Sequence, residues 1–317
     1  MVYFYINNTL LCKDSEYKAD INEDMNKLSL HPYWITGFTD AEGCFTVKFA
    51  KSNAYKLGWK TQAQFQIKLH ARDLALLTII KDYYGVGVLG KSGNYIIYTV
   101  KSTKDLVNVI IPHFEKYPLM THKAADFILF KQIVLMMEKK EHLIKEKFEY
   151  ILTLKASLNL GLSENLSNEF MNIVPAIRPI VNSNPQVPNP NWLTGFIDGE
   201  GCFHVNIKKS DSTQDKVWLT FQITQHIRDS ALLESIIKYL NCGRVNIRST
   251  NLAIDYLLTT HNDVNNKLIP FFQEYPLQSV KIKDYLDFCK VINLINNKEH
   301  LTKEGVEKIK ILKKWYE

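Results

Sequence analysis

The sequence predicts an α+β protein in which one αββαββα unit occurs twice, and three observations predict it. Residues 31–47, HPYWITGFTDAEGCFTV, return at 189–205 as NPNWLTGFIDGEGCFHV, identical at 11 of 17 positions with an offset of 158. The correspondence then continues: FQIKLHARD from Phe65 answers FQITQHIRD from Phe221, YPL at 117–119 answers YPL at 275–277, and KEHL at 140–143 answers KEHL at 298–301. Within each copy the hydrophobic period switches between that of a helix and that of a strand in one fixed order. Offsets held between 156 and 158 describe a duplicated domain rather than a short solenoid repeat.

The elements follow in order. Trp34 to Glu42 reads as a short helix. Phe45, Val47 and Phe49 alternate with Thr46 and Lys48 as in a half-buried strand, and a second strand carries Phe65, Ile67 and Leu69 inward with Gln64, Gln66 and Lys68 outward. Arg72 to Tyr84 is a helix, with Leu74, Leu77 and Ile80 at helical spacing. Val86–Lys91 and Tyr95–Val100 form a hairpin across Ser92-Gly93-Asn94, and helices from about Thr103 and from Thr121 close the unit. The sheet is antiparallel with helices on one face, so its other, polar face must meet solvent or a polar partner.

This divides the chain into an N-terminal extension (1–30) without a counterpart, a first copy (31–156), a linker (157–190) and a second copy (191–317). The linker holds Pro175, Pro179, Pro185, Pro188 and Pro190 among Asn and Ser, which predicts an extended segment wrapped across one or both halves.

Composition removes several classes of function. A chain of 317 residues suits about two domains, and 46% hydrophobic residues exclude wholesale disorder. The most apolar run, Phe127 to Met137, is broken by Lys131 and Gln132, so no membrane span is expected. Met1 to Cys12 lacks a basic start and is followed by Asp14 and Glu16, unlike a signal peptide. The first arginine is Arg72, unlike a transit peptide. Cys12, Cys44, Cys202, Cys242 and Cys289 form no CxxC pair, which suits reduced thiols inside a cell. The net charge of +6 permits nucleic-acid binding without requiring it.

Gly85 to Ser92 spells both GxGxxG and GxxxxGKS. A phosphate-cradling loop needs a strand before it and a helix after it. Here a helix precedes and the β-rich run Asn94 to Val100 follows, and the second copy, NCGRVN from Asn241, keeps one glycine. A tight turn into a hairpin is the expected structure.

The repeated core, [IL]-T-G-F-x-D-[AG]-E-G, carries the chemistry. Gly37 and Ala41, like Gly195 and Gly199, lie four apart and give each helix a stripe of small residues through which two helices can approach closely. Pairing the duplicated helices would bring Glu42 and Glu200 side by side at their C-termini. Two carboxylates there face mutual repulsion and the negative helix end, and a divalent cation relieves both. Oxygen-only ligation suits Mg²⁺. Asp40 and Asp198 point away from these acids and read as structural, bonding nearby backbone.

With these residues in place, WITGFTDAEG and WLTGFIDGEG resemble the LAGLIDADG motif, and the chain looks like a single-chain, two-repeat LAGLIDADG homing endonuclease from Pro32 onward. Both copies carry Glu where the motif has its second Asp. The resemblance implies two pseudo-symmetric halves with saddle-shaped sheets joined through the paired helices. It implies metal binding by Glu42 and Glu200 with the carbonyls of Ala41 and Gly199, basic catalytic residues at Lys123 and Lys281, and a water-ordering glutamine at Gln225, where the first copy has Leu69. Mg²⁺ or Mn²⁺ would support cleavage, while Ca²⁺ would occupy the site without supporting it. The reaction would be a double-strand break leaving short 3′ overhangs. DNA would be read from the sheets' polar faces in the major groove. Those faces carry Thr46, Lys48, Gln64, Gln66 and Lys68 in the first copy, and His204, Asn206, Lys208, Gln222, Thr224, Arg244, Asn246 and Arg248 in the second. Unequal faces imply a non-palindromic target.

A monomer acting on double-stranded DNA is expected, with no membrane. An RNA-binding intron maturase on the same fold is the alternative, and retention of both acids favours cleavage. A carboxylate-pair glycosidase fits poorly, because such sites use no metal and are lined by aromatics rather than Lys, Arg and Gln. A coding bias toward Lys, Asn and Ile suggests an AT-rich organellar genome, with a mitochondrion the expected location.

Overall fold

The computed structural model describes residues 5–6, 9–10, 30–181, 184–209 and 215–313. The N-terminal extension lies outside the described residues apart from Leu30 and two short strands, Tyr5–Ile6 and Thr9–Leu10, which pair antiparallel. Cys12 is also outside them. The chain forms two compact units, dividing between Pro185 and Gln186.

In the first unit the motif helix spans Pro32–Glu42. Proline is tolerated at a helix start because its missing N–H has no intrahelical partner there, and the His31 side chain accepts from the Tyr33 N–H at 3.2 Å. The helix stops at Gly43, whose backbone is extended (φ −77°), so the chain leaves Glu42 straight into a strand. Glycine is needed there for space: a Cβ on Gly43 would lie 2.4 Å from Thr39 Cγ2 and 2.9 Å from the Thr39 carbonyl oxygen. Strands Gly43–Lys51, Trp59–His70, Tyr95–Val100 and Val88–Ser92 follow one another across an antiparallel sheet. Phe45 and Phe65 face Phe114, Phe127 and Phe130 of the covering helices, with ring centroids 5.2–5.6 Å apart.

The glycine run behaves as a turn. Gly85 ends the helix Leu74–Tyr84 in the left-handed region (φ +65°). Gly87 (φ +84°) lets the backbone lie against Tyr98, where a Cβ would come within 2.7 Å of the ring. A strand follows, so the phosphate-loop reading has no structural basis.

From Thr103 to Lys116 the chain is helical, with a wide π turn at Leu106–Ile110 just before Pro112. Pro112 cannot donate to a carbonyl in the preceding turn, which accounts for the local widening. The second unit repeats it, with Val264–Leu268 before Pro270. Helices Lys123–Glu138 and Lys145–Ala156 complete the first unit.

The linker is less extended than its prolines suggest, and it docks on the first unit. It includes a helix, Glu164–Glu169, and buries Leu158 and Leu166. Glu169 accepts from Trp59 Nε1 at 2.8 Å and pairs with Lys51 at 2.7 Å. Arg178 reaches Asp126 at 2.9 Å and the Ser157 carbonyl at 2.7 Å.

The second unit repeats the plan with motif helix Pro190–Glu200, capped by the Asn189 side chain at 2.9 Å from the Asn191 N–H. Its sheet runs Gly201–Lys208, Lys216–His226, Ala253–Leu258, Arg244–Ile247. Phe203 meets Phe221, Phe272, Tyr285 and Phe288 as Phe45 meets its partners. Helices Ser230–Leu240, Ile282–Asn296 and Lys303–Lys313 cover the apolar face. No helix among the described residues is long and apolar enough to cross a membrane.

Candidate functional site

Each motif helix grips a loop eighty residues further on, and that loop delivers a lysine back to the helix end. Thr36 and Asp40, four apart, share one buried face. The Thr36 hydroxyl donates to the Tyr117 carbonyl at 3.1 Å. The Asp40 carboxylate accepts from the Met120 N–H at 2.9 Å, the Thr121 N–H at 3.1 Å and the Thr121 hydroxyl at 2.6 Å. Thr121 Oγ1 in turn accepts from the Lys123 N–H at 3.2 Å, fixing the start of the helix Lys123–Glu138. Lys123 Nζ then donates to the carbonyls of Thr39 (2.8 Å) and Ala41 (3.3 Å), the last turn before Glu42.

The second unit reproduces this ring. Thr194 donates to the Tyr275 carbonyl at 3.2 Å. Asp198 accepts from the Gln278 N–H (2.8 Å), the Ser279 N–H (3.0 Å) and the Ser279 hydroxyl (2.6 Å). Ser279 Oγ accepts from the Lys281 N–H at 3.2 Å, and Lys281 Nζ reaches the carbonyls of Ile197 (3.1 Å) and Gly199 (2.8 Å), beside Glu200. The structural reading of Asp40 and Asp198 is therefore sharpened. Their backbone partners are remote in sequence, and the bonds hold the lysine-bearing helix. Sequence reasoning passed over Thr36, Thr194, Thr121 and Ser279. The signal was present, since T-x-x-x-D and YPL-x-[TS]-x-K both occur twice at matching offsets.

Glu42 and Glu200 are half-buried at the last helical position of their helices. Within each unit the donors gathered at that end are hard oxygens, a carboxylate and backbone carbonyls, at the negative end of a helix dipole that already draws an ammonium group. Among the described residues no three His, Cys, Asp or Glu side chains gather to hold a metal ion, so within a unit a cation would have one motif carboxylate and backbone carbonyls as its donors. This donor chemistry fits Mg²⁺ or Mn²⁺. Cys44 and Cys202, just beyond the acids, have thiols pushed up chiefly by burial, which keeps them protonated.

Gln225 stands opposite Ile254 near the end of its strand, on the core-side alternation but partly exposed; Leu69 opposite Ile96 holds the same place in the first unit.

The sheet registers place the expected polar residues on common faces. Thr46 pairs with Gln64 and Lys48 with Gln62, in phase with Gln66 and Lys68; His204 pairs with Thr220 and Asn206 with Trp218, in phase with Lys208, Gln222 and Thr224. Arg244 and Asn246 lie on the same side through Leu257 and Asp255. Lys68 sits 4.3 Å above the Tyr95 ring. Gln64 corrects one expectation. It is on the predicted face, paired with Thr46 on a central strand, but only 2% exposed, and its amide donates to Gln66 at 2.7 Å.

Arg248 is not a loose surface charge either. Its Nε and Nη2 donate to the two oxygens of Asp255, each at 2.8 Å, and Nη2 also reaches Thr224 Oγ1 at 3.1 Å. Asp255 further accepts from Thr224 Oγ1 (2.7 Å) and Gln222 Nε2 (3.1 Å). Burial alone would raise this carboxyl, but the bonds from Arg248, Thr224 and Gln222 hold it below the ordinary value. Alternation along Ala253–Leu258 puts Asp255 on the polar face, a position the sequence reading omitted.

The LAGLIDADG endonuclease family model matches residues 35–134 and 193–292. Two proteins of Neurospora crassa described as probable intron-encoded endonucleases 2 and 3 are 40% and 37% identical over 90% and 95% of this chain. The chain spans 64% and 57% of their lengths. The solved structure of I-SmaMI bound to an uncleaved DNA target in the presence of calcium ions is 43% identical with a TM-score of 0.87, over 90% of this chain and 98% of that one. Two family matches in one chain, each centred on a helix, an acid and a returning lysine, establish that it belongs to the LAGLIDADG endonuclease family.

Proposed function

We propose that this chain is a site-specific DNA endonuclease that makes a divalent-metal-dependent double-strand break, with short 3′ overhangs, at a long non-palindromic target. The observation carrying the reading is the duplicated apparatus, an acid at each motif-helix end with a lysine held beside it by the Asp–Thr/Ser–loop ring. A splicing factor has no use for two such assemblies.

Glu42 and Glu200, with the carbonyls of Ala41 and Gly199, would hold the cation, which when bound offsets negative charge at the phosphate under attack. Lys123 and Lys281 have ammonium groups within reach of the same spot and would stabilise charge building on the phosphate oxygens. Gln225 would orient the attacking water in its half. Leu69 has no polar atom for that purpose, so the two strands would be cut at different rates. Thr46, Lys48, Gln66 and Lys68 would read one half-site, with Gln64 supporting Gln66. His204, Asn206, Lys208, Gln222, Thr224, Arg244, Asn246 and Arg248 would read the other. The intron-encoded relatives and the Lys/Asn/Ile-rich coding support synthesis and action in a mitochondrion, and the presence of both motif copies in one chain supports action as a monomer.

The test is substitution of each acid. Glu42→Gln and Glu200→Gln should each reduce double-strand cleavage by at least 10²-fold while leaving DNA affinity within about threefold, the pattern for an interaction made only in the transition state. Normal cleavage by both variants in Mg²⁺ would falsify the assignment.

A further inference from the structure

Resting on the DNA-reading role proposed above, we infer that Asp255 is a specificity-determining positioning residue, which locks Arg248 into one orientation so that it reads a guanine in the half-site facing the second sheet. Three observations carry this. The guanidinium is held through Nε and Nη2 by both Asp255 oxygens, and Thr224 Oγ1 takes a further Nη2 bond. Asp255 is itself fixed by Gln222 and Thr224, two neighbours on the same face, and is only 6% exposed. Arg248 remains 46% exposed at its side chain, so the guanidinium is held by its partners and still open to solvent.

The chemistry of that edge follows from the bond count. Nε–H and both hydrogens of Nη2 are engaged, which leaves the two N–H groups of Nη1 with no protein partner among the described residues. A nitrogen that can only donate suits a base edge that presents acceptors alone, because no base donor then opposes either N–H. In the major groove only guanine offers two, O6 and N7; adenine sets an amino donor beside its N7. Pre-organisation matters because a flexible arginine loses side-chain entropy on docking and can swing to whichever acceptor is nearest.

The first unit supplies the contrast. Ile97 occupies the position of Asp255 opposite Lys68, which replaces Thr224, so no carboxylate clamps a cation there. Lys68 rests on Tyr95 instead. The first half-site should therefore carry no guanine preference of this strength from the corresponding strand.

Wild type, Asp255→Asn, Asp255→Glu and Arg248→Lys are each profiled for cleavage of duplexes carrying every single base-pair change in the target that the wild type selects. The wild type should prefer guanine by about 10–100-fold at one position in the second unit's half-site. All three variants should lose that preference to below about threefold at that same position. Other positions should hold, and the double variant Asp255→Asn/Arg248→Lys should lose no more than either single change. Should Asp255→Asn fail to fold, Asp255→Glu keeps the charge and displaces the carboxylate by one methylene, and it decides the matter alone. An unchanged profile in the Asp255 variants overturns the inference, as does a preference lost evenly across the half-site. Failure of the wild type to select any site overturns the endonuclease reading itself, and this inference with it.

Discussion

Thr36 and Asp40 show how much one helix face decides. Spaced by four residues, they close a path from the motif helix to the YPL loop and back through Lys123, and Thr194 and Asp198 do the same for Lys281. Asp40→Asn or Asp198→Asn replaces a triply accepting carboxylate with an amide that cannot accept all three bonds. We expect a loss of about 1–3 kcal/mol in unfolding free energy. Cleavage should slow by at least 10-fold with little change in DNA affinity, because the lysine helix start is displaced. Single-turnover cleavage and denaturant unfolding check both parts.

A second residue-scale prediction concerns His113. It is buried among Thr36, Tyr83 and Tyr84, with Thr36 Oγ1 at 3.2 Å from Nε2 and Tyr83 OH at 3.3 Å from Nδ1. Burial lowers it from 6.5 to about 4. Between those values the unfolded chain binds a proton that the folded chain refuses, so stability falls as pH drops through this window, by at most about 3 kcal/mol. Phe271 takes the place of His113 in the second copy. His113→Phe should flatten the fall in Tm between pH 6.5 and 4; an unchanged slope would assign the acid sensitivity elsewhere.

At the scale of the element, the junction of motif helix and first strand leaves no room for a side chain. A Cβ on Gly201 would meet Ile197 Cγ2 at 2.5 Å and the Ile197 carbonyl oxygen at 2.8 Å, as one on Gly43 would meet Thr39. Gly43→Ala and Gly201→Ala should each cost about 1–3 kcal/mol and slow cleavage, since the residue displaced adjoins the acid. Wild-type stability in both variants, read by thermal unfolding, would contradict the packing account.

The helix end, the strand alternation and the hairpin after the glycines were legible because each follows from local period and turn chemistry. The π turns before Pro112 and Pro270, and the helix within the linker, were not. The first answers a missing donor inside an otherwise helical run, and the second draws its stability from Leu166 and Phe170 packing near Trp59 and Phe148, contacts remote in sequence. The repeat and the family resemblance are what single out the acids and lysines of the candidate site. The ring that positions the lysines was hidden because its bonds cross eighty residues. Gln64 was misjudged because alternation gives the face of a side chain but not its exposure.

For the whole molecule, the duplication matters most where it is imperfect. Leu69 against Gln225, Ile97 against Asp255 and His113 against Phe271 are positions at which one ancestral plan supports two unequal halves. Arg244 and Arg248 lie on the second sheet, while the first sheet's face relies on Lys48, Lys68 and amides. The net charge of +6 averages over this difference. On the proposed function, two sheets with unequal polar faces call for a long, asymmetric duplex as the target. The most direct measurement is incubation with a randomised duplex library in Mg²⁺ and sequencing of the cut ends. The account predicts one dominant, non-palindromic site with a short 3′ overhang, lost in Glu42→Gln and Glu200→Gln. Cut products with no shared sequence, a palindromic site, or cleavage that survives both substitutions would contradict it.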